Sequence, residues 1–226
     1  MFFEDRTAAG RQLAARLLHY KNERPVVLGL PRGGVRVAYE IARALDAPLD
    51  VIVVRKLGAP HQPELGIGAV VDGDHPQRVL NEEVVQSLHV SRQYLETEVA
   101  RQLDEIRRRQ TLLRAGRSRV DLADRTVIVV DDGVATGGTV RAALRGVRRA
   151  NPRRIVLAVG VAPPETIEVL RKEVDDLVCL ATPTGFGSVG QFYRDFREIS
   201  DDEVIALLGR AADRAARAKD EAAVRP

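Results

Sequence analysis

The chain has 226 residues, 45% of them hydrophobic, with a net charge of +3 and a pI near 9.3. That is enough apolar surface for one well-cored domain with an appendage, and it excludes a disordered chain. The single cysteine, Cys179, excludes a disulfide framework. No apolar run reaches the length of a membrane span, and Glu4-Asp5 directly after Met1-Phe2-Phe3 is unlike a signal peptide, so a cytoplasmic protein without membrane contact is expected.

The pattern of elements is that of an α/β fold. Thr7 to Leu18 reads as a helix with Leu13, Leu17 and Leu18 on one side. Val26 to Leu30 is a short apolar strand, Val35 to Leu45 a helix and Val51 to Val54 a second strand. The stretch from Arg55 to Gly68 holds three glycines and two prolines and reads as a loop. Ile67–Val71 and Arg78–Leu80 suggest an antiparallel pair across Asp72-Gly73-Asp74-His75-Pro76. After Ser91 as a capping residue, Leu95, Val99, Leu103, Ile106 and Leu113 recur at helical spacing to residue 113, a helix of about 34 Å at 1.5 Å per residue. Strand 127–131, helix 139–149, strand 155–161, helix 164–173 and strand 177–181 then alternate, which implies a parallel sheet with right-handed crossovers. Residues 1–200 are read as one domain with a hairpin and helical insertion at 72–118 and a small hood at 179–200; 201–226 are read as a C-terminal helix and tail.

Residues 127–139, Val-Ile-Val-Val-Asp-Asp-Gly-Val-Ala-Thr-Gly-Gly-Thr, carry the chemistry. A buried parallel strand ends in two carboxylates, and a Gly/Thr turn then opens a helix. Ligands bind at the carboxyl ends of strands in such sheets. A helix N-terminus fed by glycines offers free N–H groups and the positive end of a dipole to a phosphate. Asp131 and Asp132, side by side, repel each other unless they hold hydroxyls or a cation. The segment therefore reads as a site for a sugar phosphate with a vicinal diol. A nucleoside-triphosphate P-loop is excluded, because Gly133 to Thr139 is too short for it and has no lysine.

Position by position, 127–139 resembles the phosphoribosyl-pyrophosphate (PRPP) motif of type I phosphoribosyltransferases. The resemblance implies their fold, a mostly parallel sheet with helices on both faces. It also implies transfer of ribose-5-phosphate from PRPP to a small nitrogenous acceptor, with Mg2+ as cofactor, release of pyrophosphate and a homodimer. Asp131 and Asp132 would hold the ribose hydroxyls and touch the metal directly or through water. Ala135, Thr136, Gly137, Gly138 and Thr139 would cradle the 5-phosphate. Pro31-Arg32-Gly33-Gly34, after the first core strand, resembles the family's pyrophosphate loop, where a cis peptide between Pro31 and Arg32 is expected; Arg32 brings a forked cation.

The 55–68 stretch resembles the family's flexible loop, which closes over the reacting centre and excludes water. There Arg55 and Lys56 would neutralise pyrophosphate, and Glu64 (or His61) would act as acid or base. Ala135 stands where 6-oxopurine enzymes usually carry an aspartate, which argues against hypoxanthine or guanine as acceptor. In the hood, Phe186, Phe192 and Tyr193 are candidates to stack on a planar acceptor, although they could equally seal the sheet edge against the N-terminal helix. A non-catalytic PRPP- or nucleotide-sensing protein on the same fold is the alternative, and hydrolysis or phosphorolysis of a ribosyl compound a third. Nucleic-acid binding is not expected, since aromatics are only 4% and the cluster Arg107-Arg108-Arg109 with Arg114, Arg117 and Arg119 reads as a solvated face. His19, His75 and His89 lack zinc-ligand spacing.

Overall fold

The computed structural model describes the backbone of residues 3–73 and 77–224, and their side chains except those of Glu64, Gln77 and 218–224. The centre is a five-stranded, wholly parallel sheet. Its strands are β1 (Val26–Gly29), β2 (Leu49–Val51), β6 (Thr126–Gly133), β7 (Arg154–Val161) and β8 (Asp176–Ala181), in the order β2-β1-β6-β7-β8. β1 and β6 lie side by side in the middle, with Val26 opposite Val127 and Gly29 opposite Val130.

Both faces of the sheet are covered, which is why these strands read as unbroken apolar runs rather than alternating ones. Val27, Ile128, Val130, Val156 and Ala158 point into one core, shared with α1 (Arg6–Leu17), α2 (Gly33–Leu45) and α7 (Asp201–Val224). Val26, Val127, Val129, Ile155 and Leu157 point into the other, under α5 (Gly138–Arg148) and α6 (Pro164–Arg171). Val127, Ile128, Val129 and Val130 are fully buried, and each such side chain contributes about 1.5–3 kcal/mol by leaving water.

The second sheet corrects the reading of residues 51–68. The chain leaves the parallel sheet after Val51; Ile52 and Val53 bridge to β3 (Val54–Ala59), which pairs with β4 (Gln62–Val71) as an antiparallel hairpin, and β4 pairs with β5 (Gln77–Leu80). The expected loop is therefore mostly strand, with only the tip around His61 as a turn. Its glycines serve backbone contact instead of looseness. A Cβ on Gly58 would lie 2.6 Å from the Pro63 carbonyl oxygen, and one on Gly68 would strike the Val79 carbonyl. The register slips at Leu57/Gly58 and Gly58/Ala59, a bulge that bends the hairpin. The β4–β5 pairing matches the expected one; part of the turn between them, His75 included, lies outside the described residues.

α3 (Glu82–Ser87) and the long α4 (Arg92–Arg114) follow, the latter capped by the Ser91 hydroxyl, which accepts from the Tyr94 N–H. A buried ionic cluster ties this excursion to the main sheet. Arg114 donates to Asp50 at 2.9 Å and to Asp72 at 3.1 Å, and both carboxylates are nearly inaccessible. Gln110 and Arg119 also donate to Asp72. Burial is the largest influence on the Asp72 carboxyl and raises it, against the pull of Arg114 and Arg119. Among the described residues no helix is long and apolar enough to cross a membrane.

Candidate active site

The order β2-β1-β6-β7-β8 puts a reversal of winding between β1 and β6. From β1 the chain crosses by α2 to one side; from β6 it crosses by α5 to the other. The loops leaving such neighbours diverge and open a crevice at their carboxyl ends. Residues 30–34 and 131–137 meet there.

The contact between them explains the two glycines. A Cβ on Gly34 would lie 2.7 Å from the Val130 carbonyl oxygen and 3.0 Å from the Asp131 carboxylate. A Cβ on Gly33 would run into the Asp132 carboxylate. Only glycine lets the start of α2 lie this close to the acidic pair. The Pro31–Arg32 peptide bond is cis, as the resemblance led one to expect.

Each carboxylate has its own partner. Asp131 accepts the N–H of Asp132 at 2.9 Å. It is partly accessible yet densely surrounded, and that burial, then the neighbouring charge of Asp132, holds its carboxyl well above the ordinary range. Asp132 is buried and accepts from Arg6 Nε at 2.6 Å. The Tyr193 hydroxyl donates to the Asp132 carbonyl at 2.5 Å; burial first, then the Asp132 charge, pushes that phenol up.

Beyond the acids, Gly137 takes a left-handed conformation (φ 80°) and caps α5 without any side-chain bond, so the first N–H groups of the helix have no capping side chain. Thr136, Gly138 and Thr139 are exposed around that end. Thr166 fixes the turn from below, donating to the Ala135 carbonyl at 2.7 Å. This is a free, positively polarised helix N-terminus beside two carboxylates, an arrangement that can hold an anion and a diol together.

Arg32 extends from the neighbouring loop and pairs with Glu198, with Asp201 4.0 Å away. A cavity of about 440 Å³ opens here, walled by Arg6, Arg32, Arg109, Phe196 and Glu198. Phe196 lies under the Arg6 guanidinium, 3.8 Å from ring centroid to Cζ. Arg6 and Thr166 had no sequence signal, since neither belongs to a motif and Arg6 meets Asp132 across 126 positions; Phe196 and Glu198 fall within the hood read at 179–200 without being singled out there.

Other expected residues fall differently. Arg55 and Lys56 lie on β3, where Arg55 donates to Gln102 of α4 at 3.0 Å and the Lys56 stem packs across Gly66. These contacts belong to the hairpin and α4. Glu64 lies on β4, and its side chain is outside the described ones; His61 is exposed at the hairpin turn. Phe186 and Phe192 stack on each other, 5.4 Å apart, and remain partly exposed. Tyr193 departs from the stacking role: its ring is buried between Phe3 and Phe196, each 5.1 Å away, and Phe3 pairs with it as an isolated bridge. It seals the edge of the sheet, and Gly133 and Gly160 make room for Val189 and the Tyr193 hydroxyl.

The arginine cluster is not an open basic face. Arg107 pairs with Asp104, and Arg108 and Arg109 share Glu105, whose carboxyl they hold down at about 2. Arg114 is buried, and Arg117 donates to the Leu113 and Ile205 carbonyls.

The family described as phosphoribosyl transferase domain matches residues 4–197. A protein found in two strains of Mycobacterium tuberculosis, named provisionally as a phosphoribosyl transferase, is 49% identical over 209 residues. The alignment covers 92% of this chain and 47% of that protein, so the chain spans about half the length of these relatives. The crystal structure of TT1426 from Thermus thermophilus is similar with a TM-score of 0.80 and 46% identity, covering 92% of this chain and 98% of the other.

Proposed function

The chain belongs to the phosphoribosyl transferase domain family, and from that premise we propose that it transfers ribose-5-phosphate from PRPP to a nitrogenous acceptor, releasing pyrophosphate. One observation carries the reading: at the β1/β6 crevice, Gly33 and Gly34 bring the pyrophosphate-type loop into direct contact with Asp131 and Asp132.

In this reading the 5-phosphate sits on the N-terminus of α5, held by the amides of 135–139 and the hydroxyls of Thr136 and Thr139. The ribose hydroxyls face Asp131 and Asp132. Pyrophosphate lies along Pro31 to Gly34 with Arg32 as its cation, and that guanidinium exchanges the surface carboxylate of Glu198 for phosphate oxygens. Arg55, Lys56 and Glu64 ride on the β3–β4 hairpin, so any approach to the reacting centre is a movement of the whole hairpin. Phe186 and Phe192 remain the hood residues for a planar acceptor. Catalysis on such a frame is positioning and charge stabilisation, without a covalent enzyme intermediate.

Magnesium belongs to the same proposal. Among the described residues no three His, Cys, Asp or Glu side chains gather into a metal site. An ion of this kind keeps several waters and is carried mainly by substrate oxygens, with at most one carboxylate from the protein. Asp131 is the better placed, because Asp132 is engaged by Arg6. Bound there, the ion would neutralise charge on the departing pyrophosphate.

Arg107, Arg108 and Arg109 each pair with an acidic side chain of their own helix, which supports the reading of that cluster as a solvated face. The test is pyrophosphate release from PRPP and magnesium across a panel of purines, pyrimidines and other nitrogenous acceptors. Acceptor-dependent release is expected. PRPP binding with no release for any acceptor would turn the reading to a sensor.

A further inference from the structure

We propose that Arg6 is a positioning residue of this site: it aims the Asp132 carboxylate at the ribose diol and ties it to the hood. The inference rests on the PRPP reading above. Arg6 is the first residue of α1, placed there by Asp5, whose carboxylate caps the helix by accepting from the Ala8 N–H at 2.6 Å. Its side chain is 9% exposed.

The guanidinium makes three contacts at once, each to a different part of the site. Nε donates to Asp132 Oδ2 at 2.6 Å. One terminal nitrogen donates to the Arg197 carbonyl at 2.8 Å. The guanidinium lies over the Phe196 ring at 3.8 Å, a cation–π geometry. A Cβ at Gly33 would also come within 2.8 Å of Nε, so the pyrophosphate-type loop packs on the same group.

A planar fork can serve these directions together; an ammonium cannot. Without Arg6, Asp132 would be a buried carboxylate beside a second one, free to turn away from the crevice, and the hood would keep its bond from Tyr193 to β6 but lose the one to the Asp132 carboxylate. Arg6 acts through Asp132, as outer groups do when they fix the orientation of the ligating groups they contact.

The experiment compares binding of PRPP with binding of inorganic pyrophosphate, which has no diol. It uses wild-type protein, Arg6→Lys and Arg6→Gln, titrated calorimetrically in the presence of magnesium, with thermal unfolding measured alongside. Wild type should bind both. Arg6→Gln should lose about 10- to 100-fold in PRPP affinity, Arg6→Lys should fall between, and pyrophosphate affinity should stay within about threefold in each. A parallel loss for both ligands would mean a general structural role and overturn the proposal, as would PRPP affinity unchanged in Arg6→Gln. If Arg6→Gln does not fold, Arg6→Lys decides by the same ratio. Wild-type protein that binds pyrophosphate but not PRPP, or neither, would instead overturn the PRPP reading and this inference with it.

Discussion

Replacing Asp131 with asparagine should weaken PRPP binding about 100-fold or more while leaving the protein at least as thermostable as wild type. A hydrogen bond to a charged group contributes about 1.5–3 kcal/mol, and the diol offers two hydroxyls. About 3 kcal/mol is a factor near 100 in affinity. The stability half follows from the surroundings of Asp131. Burial and the adjacent Asp132 hold its folded-state carboxyl well above the ordinary range. A carboxyl raised on folding binds its proton more tightly in the native state, so its ionised form costs stability, and that cost fades as pH falls from the folded value to the lower unfolded one. Asparagine removes the cost. Its advantage should be present near neutral pH and vanish in acid.

Asp132→Asn should behave oppositely. It strips Arg6 of its counter-charge in a buried pair, where removing one partner costs about 3–5 kcal/mol. At roughly 2–4 °C per kcal/mol for a chain of this size, the melting temperature should drop by about 6–20 °C. Equal stability losses in the two variants, measured by thermal unfolding, would contradict this division of labour between the carboxylates.

The second large effect is structural and lies at the C-terminal end of α4. Arg114→Met should destabilise the protein by about 3–5 kcal/mol, because Asp50 and Asp72 would be left buried without their shared cation. Arg119 and Gln110 still reach Asp72, while Asp50 would rely on backbone N–H donors, from Val51 and Val120. The pH dependence has a definite sign. Burial raises Asp72, and loss of Arg114 would raise it further, so protonation relieves the unpaired charge. The gap between variant and wild type should therefore narrow as pH is lowered from 8 to 5. Urea unfolding at several pH values measures it; a variant within about 1 kcal/mol of wild type would show that the cluster does not lock the hairpin to the sheet.

Much of the centre was legible because it obeys local rules. Val127 to Val130 are apolar without alternation, as strands buried on both faces must be, and the acids and glycines follow where a parallel strand yields to a helix. The Pro31–Gly34 loop was legible by the same logic. The hairpin at 54–71 was not, because glycine and proline usually punctuate loops. Here Gly58 and Gly68 are needed where backbones crowd, a demand set by partners that sequence order does not reveal. Tyr193 was ambiguous for a related reason: an aromatic near a hood can stack on a ligand or seal an edge, and only the Phe3 bridge and the bond to Asp132 decide. Arg6 was silent, and within the 179–200 hood nothing singled out Phe196 or Glu198, since each acquires its role by meeting a residue more than 100 positions away.

The central claim is that the β1/β6 crevice is a PRPP site, and a crystal structure of the protein with PRPP and magnesium tests it most directly. The account predicts the 5-phosphate on the amides of Gly137 to Thr139, the ribose diol against Asp131 and Asp132, and pyrophosphate along Pro31 to Gly34. PRPP seated elsewhere, or with its phosphate away from the start of α5, would contradict it.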